Sequence, residues 1–92
     1  MISMADPPAF APDSPVPLYV QAADYLAAKI ASGDLAPGSR LPAERDLADQ
    51  WGIAYQTVRR TMRELRERGL VTSVVGKGSF VRPEGERPTS SR

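Results

Sequence analysis

Glycine and proline divide the middle of this chain into short segments, and no other feature restricts its fold as strongly. Gly33, Gly52 and Gly69 each follow a segment with helical periodicity, and glycine is the residue most often found just beyond a helix end. Between the first two of these glycines, the dipeptide Pro37-Gly38 has the composition of a turn. The spacing therefore predicts several short helices.

Apolar residues recur at steps of three and four in each segment, which predicts amphipathic helices at 17–32, 44–51 and 54–68. Pro17 suits the first helical position. Glu44 and Asp46 suit the first turn of the second helix, because the helix dipole favours negative charge there. The predicted apolar faces consist of Tyr19, Ala22, Ala23, Leu26, Ile30, Leu47, Ala48, Trp51, Val58, Met62 and Leu65.

A β-hairpin is predicted after Gly69. Residues 70–74 (LVTSV) have strand composition, residues 75–79 (VGKGS) form a glycine-rich turn, and SFV can return as a second strand. The predicted fold class is mainly α with a small β-hairpin, in the order helix, helix, helix, hairpin. This folded domain is assigned to residues 17–82, between an N-terminal arm at 1–16 and a C-terminal tail at 83–92 that are both predicted to be disordered.

The composition excludes several kinds of site. The chain has no cysteine and no histidine, which excludes disulfides, zinc fingers and histidine-based catalysis. The remaining catalytic candidates, Glu44, Asp46 and Asp49, have the spacing of ordinary helix-surface groups. We therefore expect no enzymatic activity, no metal and no cofactor. The chain also lacks an apolar run of membrane-spanning length and an evident secretory signal, so we expect a cytoplasmic location without membrane contact.

Positive charge is concentrated in the second half of the chain, although the net charge is only +1. Residues 40–82 carry nine basic groups against five acidic ones, whereas residues 1–39 carry one lysine against four aspartates. The segment 54–71 (AYQTVRRTMRELRERGLV) contains five arginines and two glutamates. A basic half in a nearly neutral chain favours an acidic partner such as nucleic acid.

The second and third helices have the pattern of a helix-turn-helix, in which a short turn containing glycine joins two helices. The first of these helices supports the second, whose N-terminal turn protrudes and can enter the major groove of DNA. Tyr55, Gln56, Thr57 and Arg59 occupy that turn, and Arg63 falls on the same flank at 100° per residue. Glutamine can pair with adenine and arginine with guanine through two hydrogen bonds each, so these residue types can read base edges.

Each of these features also has an interpretation without DNA. An arginine-rich helix face is commonly just solvated, a hairpin can merely close the core, and Arg45 can pair with Asp49 one turn later. The same scaffold can dock another protein, in which case exposed apolar residues would lie on the recognition flank, and Tyr55 is the one candidate. Lys77 favours DNA, because it places a positive charge at a hairpin tip whose glycines allow close approach.

Together these elements form a winged helix-turn-helix, and residues 17–81 resemble the N-terminal DNA-binding domain of the GntR family of bacterial transcriptional regulators. The resemblance is carried by SGDLAPGSRLPAERDLA, TVRRTMRELRERGLV and GKGSFV, which are specific in combination. It implies sequence-specific binding to double-stranded DNA, most commonly by a repressor. It also implies that helix 54–68 lies in the major groove and wing residues 75–79 at the minor groove.

The resemblance further implies roles for single residues. Arg45 matches a second-helix arginine that contacts DNA, and Arg59 matches a recognition-helix arginine that reaches a base or a phosphate. Thr57 matches a threonine that bonds the phosphate backbone. Gly76 and Lys77 match the wing tip that enters the minor groove.

Two positions depart from the family pattern. Ala54 stands where a serine or threonine is usual, which removes a helix N-cap worth about 1 kcal/mol. Tyr55 stands where arginine is common, and tyrosine cannot make the two-bond contact to guanine. We therefore expect Tyr55 and Gln56 to set the operator preference of this chain.

The resemblance also implies the form of the partner. Operators of the family are inverted repeats, and two-fold DNA sites match two-fold proteins. The sequence has no heptad pattern for a coiled coil, so we expect a monomer or weak homodimer in solution that binds DNA as a pair. Members of the family normally continue into a metabolite-binding domain. The roughly 65 folded residues of this chain are expected to hold no small-molecule effector site.

Overall fold

The computed structural model describes residues 9–83. Its elements are α1 (Leu18–Ser32), α2 (Glu44–Trp51), α3 (Tyr55–Glu67), β1 (Val71–Val74) and β2 (Gly78–Val81). The strands form an antiparallel pair in which Val71 is opposite Val81 and Val74 is opposite Gly78. The predicted fold class, three helices followed by a hairpin, is confirmed. The wing consists of β1, β2 and residues 75–77 between them.

Glycine ends α1 and α2 as predicted. Gly33 and Gly52 follow these helices directly, with φ angles of 89° and 66° in the left-handed region. The first helix begins one residue later than predicted, because Pro17 keeps an extended ψ of 149° and flanks the helix. The third helix lies just inside the predicted range 54–68, since Ala54 and Arg68 are its flanking cap residues.

The core lies between α1 and α3, with α2 packed against α3 and the wing at the end of α3. Every predicted apolar position is buried except Tyr19, which is half-buried. Further core residues come from the α1–α2 connector and the strands: Leu35, Leu41, Val71 and Val81. The buried hydroxyl oxygen of Thr61 lies 2.9 Å from the Thr57 carbonyl oxygen and 3.3 Å from that of Tyr19. This polar contact joins α3 to α1.

The connector between α1 and α2 pairs with the wing, which the sequence did not predict. The amide of Leu41 donates a hydrogen bond of 2.8 Å to the Ser79 carbonyl. Arg40 forms an isolated antiparallel bridge with Phe80. These contacts hold the wing beside the N-terminal end of α2, so the two parts of the predicted DNA surface are joined through the backbone.

Residues 9–16, at the end of the predicted arm, lie against α1 and α2. The side-chain amide of Gln21 accepts a hydrogen bond from the Ala11 amide at 2.8 Å and donates to the carbonyls of Ala11 at 3.0 Å and Val16 at 2.8 Å. The Phe10 ring meets the Trp51 ring edge-on at 6.1 Å between centroids. The division into arm, domain and tail stays a prediction, and its parts at 1–8 and 84–92 lie outside the described residues.

Neither a membrane span nor a metal centre is found in the described part of the chain. No helix there is long and apolar enough to cross a bilayer. Residues 9–83 also contain no group of three or more acidic, histidine or cysteine side chains that could hold a metal ion.

Candidate nucleic-acid interface

The turn between α2 and α3 leaves the first turn of α3 at the surface. Gly52 turns the chain in the left-handed region, and the amide of Ile53 donates to the Ala48 carbonyl at 3.2 Å. Beyond the turn, Gln56 and Arg59 are exposed, whereas Val58 is fully buried. The third helix therefore packs through one face and leaves the other free, as a recognition helix requires.

This helix starts without a side-chain cap, as predicted from Ala54. That residue has an extended backbone and makes no capping hydrogen bond through its side chain. Its carbonyl accepts hydrogen bonds from the amides of Thr57 at 3.0 Å and Val58 at 3.2 Å. Because the first amides of a helix carry partial positive charge, this open end suits an anionic group such as a phosphate.

Arg45 of α2 and Arg59 of α3 converge on the ring of Tyr55. Their Cζ atoms lie 4.4 Å and 6.0 Å from the ring centroid, which are cation–π distances. Both arginines are exposed, and the ring is half-buried against the core. The three residues form the arginine–tyrosine cluster, which places two positive charges from different helices beside the start of α3.

The basic residues fall into a paired and an unpaired group. In residues 9–83, the ion pairs join Lys29 to Asp34 and Arg68 to Asp24 and Glu64. The alternative pairing of Arg45 with Asp49 is not among them. Four basic residues predicted to contact DNA have no carboxylate partner in this part of the chain: Arg45, Arg59, Arg63 and Lys77.

Arg68 belongs to the paired group and joins helices. Its guanidinium lies 2.9 Å from Asp24 of α1 and 2.9 Å from Glu64. Burial lowers the pKa of Arg68, but the hydrogen bonds to Glu64 and Asp24 outweigh this effect, so the pKa is raised above its ordinary value. Through these two ion pairs Arg68 holds the end of α3 to α1.

The remaining predicted α3 residues lie around the arginine–tyrosine cluster. Thr57 is half-buried, and its carbonyl oxygen faces the Thr61 hydroxyl inside the domain. Arg63 is exposed and lies toward α1, at the edge of the predicted surface. The residues that share a shallow cleft with it are Tyr19, Arg60, Glu64 and Glu67. The structure thus brings Tyr55, Arg45 and Arg59 together and leaves Arg63 apart.

Gly76 and Lys77 form an exposed wing tip. The φ angle of Gly76 is 77°, a left-handed conformation that favours glycine, and the Lys77 amide donates to the Val74 carbonyl at 2.9 Å. Val75 beside them is fully exposed at 100%. The tip therefore projects a small apolar side chain and a positive charge away from the core.

Arg66 links the third helix to the wing. Its Nη1 atom donates a hydrogen bond of 3.1 Å to the hydroxyl of Ser73 on β1. Arg66 is one of the five arginines of the segment 54–71, and the sequence could not indicate this contact, because it depends on how the hairpin folds back. This hydrogen bond ties β1 of the wing to α3.

In the sequence, Arg40 is recognisable only as one of the nine basic residues at 40–82. In the structure this residue is exposed beside the wing, because the connector pairs with β2. Only its place among basic residues signalled a contribution to the surface. The strand pairing that positions it could not be inferred from local periodicity.

Known proteins share the sequence and the fold that carry these features. The family model described as "Bacterial regulatory proteins, gntR family" matches residues 18–81. The HTH-type transcriptional repressor NagR of Bacillus subtilis (strain 168) is 41% identical over 68 residues, which are 74% of this chain and 28% of that protein. The chain therefore spans less than a third of the length of this relative.

Solved structures are similar over most of the chain. YtrA from Sulfolobus acidocaldarius, a GntR-family transcription factor, is 32% identical with a TM-score of 0.79, covering 86% of this chain and 83% of that one. AraR(DBD) in complex with operator ORX1 is also 32% identical, with a TM-score of 0.70 and coverage of 78% and 89%. These likenesses confirm the predicted winged helix-turn-helix.

Proposed function

The chain belongs to the GntR family of bacterial regulatory proteins, and from this membership we propose that it regulates transcription by binding double-stranded DNA sequence-specifically. The third helix enters the major groove, and the wing tip lies at the adjacent minor groove. The family consists of regulatory proteins, which confirms the prediction that the chain is not an enzyme.

The arginine–tyrosine cluster is the observation that carries this proposal. Arg45 and Arg59 come from different helices, meet at one ring and have no carboxylate partner in residues 9–83. They lie beside the uncapped start of α3, which adds the positive end of a helix dipole. A surface of this kind suits the phosphate backbone of a duplex, which dominates protein–DNA affinity.

Individual residues divide into those that position the protein and those that read bases. Arg45 and Thr57 contact backbone phosphates, and Arg63 adds a contact at the edge of the surface. Gln56 and Arg59 reach base edges, where glutamine suits adenine and arginine suits guanine. At the minor groove the contacts come from the wing tip, with Gly76 and Lys77.

The proposed target is an inverted-repeat operator bound by two copies of the chain. The two-fold symmetry of such a site matches a pair of identical domains. Repression is the proposed outcome, because the relative NagR is a transcriptional repressor. Operator binding is supported by the similar domain of AraR, which was solved with operator DNA. The proposed location is the bacterial cytoplasm, where the chromosome lies.

Selection from a random pool of duplexes tests the proposal. We expect one preferred half-site, recovered twice in inverted orientation, and sedimentation with the selected duplex should show two chains per site. The double variant Arg45→Ala/Arg59→Ala should remain folded and lose the preference. Recovery of random sequences by the unmodified chain would refute sequence-specific binding, and a tight dimer without DNA would refute pairing on the operator.

The alternative of a protein-docking module finds no support on α3. A module of that kind was predicted to expose apolar residues on the recognition flank. Tyr55 is instead half-buried and covered by Arg45. The exposed large apolar residues in the described part of the chain are Val16, Val74 and Val75, which lie outside the third helix.

Two substitutions of Tyr55 distinguish the contribution of its ring to DNA binding from that of its hydroxyl. Tyr55→Phe retains the surface on which both arginines lie, so we expect operator affinity within about two-fold of the unmodified chain. Tyr55→Ala removes that surface and should weaken binding by about 0.5–1 kcal/mol, the range of an exposed cation–π contact. Fluorescence anisotropy with the selected duplex measures both. Equal losses in the two variants would show that the hydroxyl matters rather than the ring.

A further inference from the structure

We infer that Arg40 and the wing form a second site for a DNA backbone phosphate, separate from the arginine–tyrosine cluster. The inference rests on the proposed DNA binding and adds a contact residue that neither the family resemblance nor the sequence pattern assigned. An open groove of about 450 Å³ lies between the connector and the wing. The residues that line it include Arg40, Lys77 at the wing tip, and Glu44 at the start of α2.

Backbone pairing determines where Arg40 lies. Its bridge to Phe80 and the 2.8 Å hydrogen bond from the Leu41 amide to Ser79 hold this part of the connector alongside β2. The backbone of Arg40 is therefore held in place, so less conformational freedom is lost when its side chain binds an anion.

Gly78 lets the Arg40 side chain lie close against the wing. A methyl group at Gly78 would come within 3.0 Å of Nε and 3.6 Å of Cζ of Arg40. The φ angle of this glycine is 113°, which also disfavours any other residue. The guanidinium thus extends along the strand end toward the wing tip, instead of being displaced by a side chain.

The charges of the groove suit a phosphate. The hydrogen bonds and ion pairs of residues 9–83 include none made by the Arg40 guanidinium, so its donors are available. Lys77 provides a second cation, and Arg66 reaches the lining residue Ser73 at 3.1 Å. The lining residues themselves include two cations, Arg40 and Lys77, and one acid, Glu44.

The place of the groove in the fold favours a phosphate of DNA over a free anion. It lies between the wing tip, proposed for the minor groove, and the N-terminal end of α2, next to Arg45. The sugar–phosphate strand that separates a major groove from the adjacent minor groove passes between these two contacts. An open groove is accessible to such a polymer, which an enclosed pocket would exclude.

Arg40→Gln tests this site on the selected duplex. We expect affinity to fall about two- to five-fold, the range of a solvent-exposed ion pair. The slope of log affinity against log salt should become shallower by about 0.9, the value for one lost phosphate contact. Arg60→Gln is the matched control, because it removes the same charge from a residue stacked on Tyr19 at 4.2 Å.

Neutral methylphosphonate linkages, introduced one at a time, locate the phosphate. At one position on the strand between the two grooves, the substitution should weaken the unmodified protein and leave Arg40→Gln unaffected. Losses that add at every position would overturn the inference, as would an affinity and salt slope equal to those of the unmodified protein. If the unmodified protein itself binds no duplex, the proposed function fails instead.

Titration with inorganic phosphate alone shows whether the groove binds a small free anion instead of a phosphate of DNA. Thermal melts at matched ionic strength should show the same phosphate effect in the unmodified protein and in Arg40→Gln. Stabilisation by phosphate that requires Arg40, combined with unchanged DNA affinity, would overturn the inference in favour of a small-anion site.

Discussion

Replacement of Trp51 by alanine is expected to lower the free energy of unfolding by about 3–5 kcal/mol, the usual cost of removing a buried tryptophan. Trp51 is only 6% exposed and meets the rings of Phe10 and Tyr25 edge-on, each at 6.1 Å between centroids. It joins the end of α2 to α1 and to the residues before α1. A domain of this size has roughly 4–11 kcal/mol of stability, so a large fraction of it would be lost.

Urea denaturation followed by far-UV circular dichroism measures this loss. Trp51→Phe is the matched control, because a phenyl ring keeps edge contacts with Phe10 and Tyr25. It also removes the indole Nε1, which is buried without a hydrogen-bond partner among the described residues. We expect Trp51→Phe to cost less than half as much as Trp51→Ala. A loss below 1 kcal/mol for Trp51→Ala would show that this aromatic contact does not hold α2 in place.

Arg59→Ala is expected to weaken binding to the selected duplex by about 1–3 kcal/mol and to reduce discrimination at one base pair of each half-site. Arg59 is exposed on the first turns of α3, and its guanidinium lies 6.0 Å from the Tyr55 ring. If this arginine bonds a base edge, its removal affects the preferred sequence more than random duplexes, because only the preferred base offers the matching acceptors.

The adjacent Arg60 provides the control for charge. Arg60→Ala removes the same charge from the same helix, but its guanidinium lies 4.2 Å from the ring of Tyr19 on α1. We expect a smaller loss that is similar for all duplexes. Anisotropy titrations of both variants against the selected site, a one-base mutant site and a random duplex compare them. Equal losses by Arg59→Ala on all three duplexes would contradict base reading.

Helix positions and the buried face followed directly from the sequence. Glycines at 33 and 52 mark helix ends because they adopt left-handed angles there, and this preference is local. The positions of Val58, Met62 and Leu65 followed from the helical period alone, and all three are fully buried. The exposed flank with Gln56 and Arg59 followed from the same period.

The site was less predictable, because its contacts join separate elements. The contact between the Arg45 guanidinium and the Tyr55 ring depends on how α2 packs against α3, and a helical period does not specify that packing. A pairing of Arg45 with Asp49 was equally consistent with the sequence, since residues four apart on a helix can meet. The individual DNA contacts stay predictions until binding is measured.

The order of local elements, their ends and the side of each helix that is buried were set by the residues themselves, since backbone angles and amphipathic periods act over a few positions. Three features depended on contacts between distant parts of the chain: the convergence of two arginines on one ring, the bridge from Arg40 to Phe80, and the packing of Phe10 on Trp51. Such contacts form only when the whole core packs, because burial of the apolar faces determines how the helices and the hairpin lie against one another.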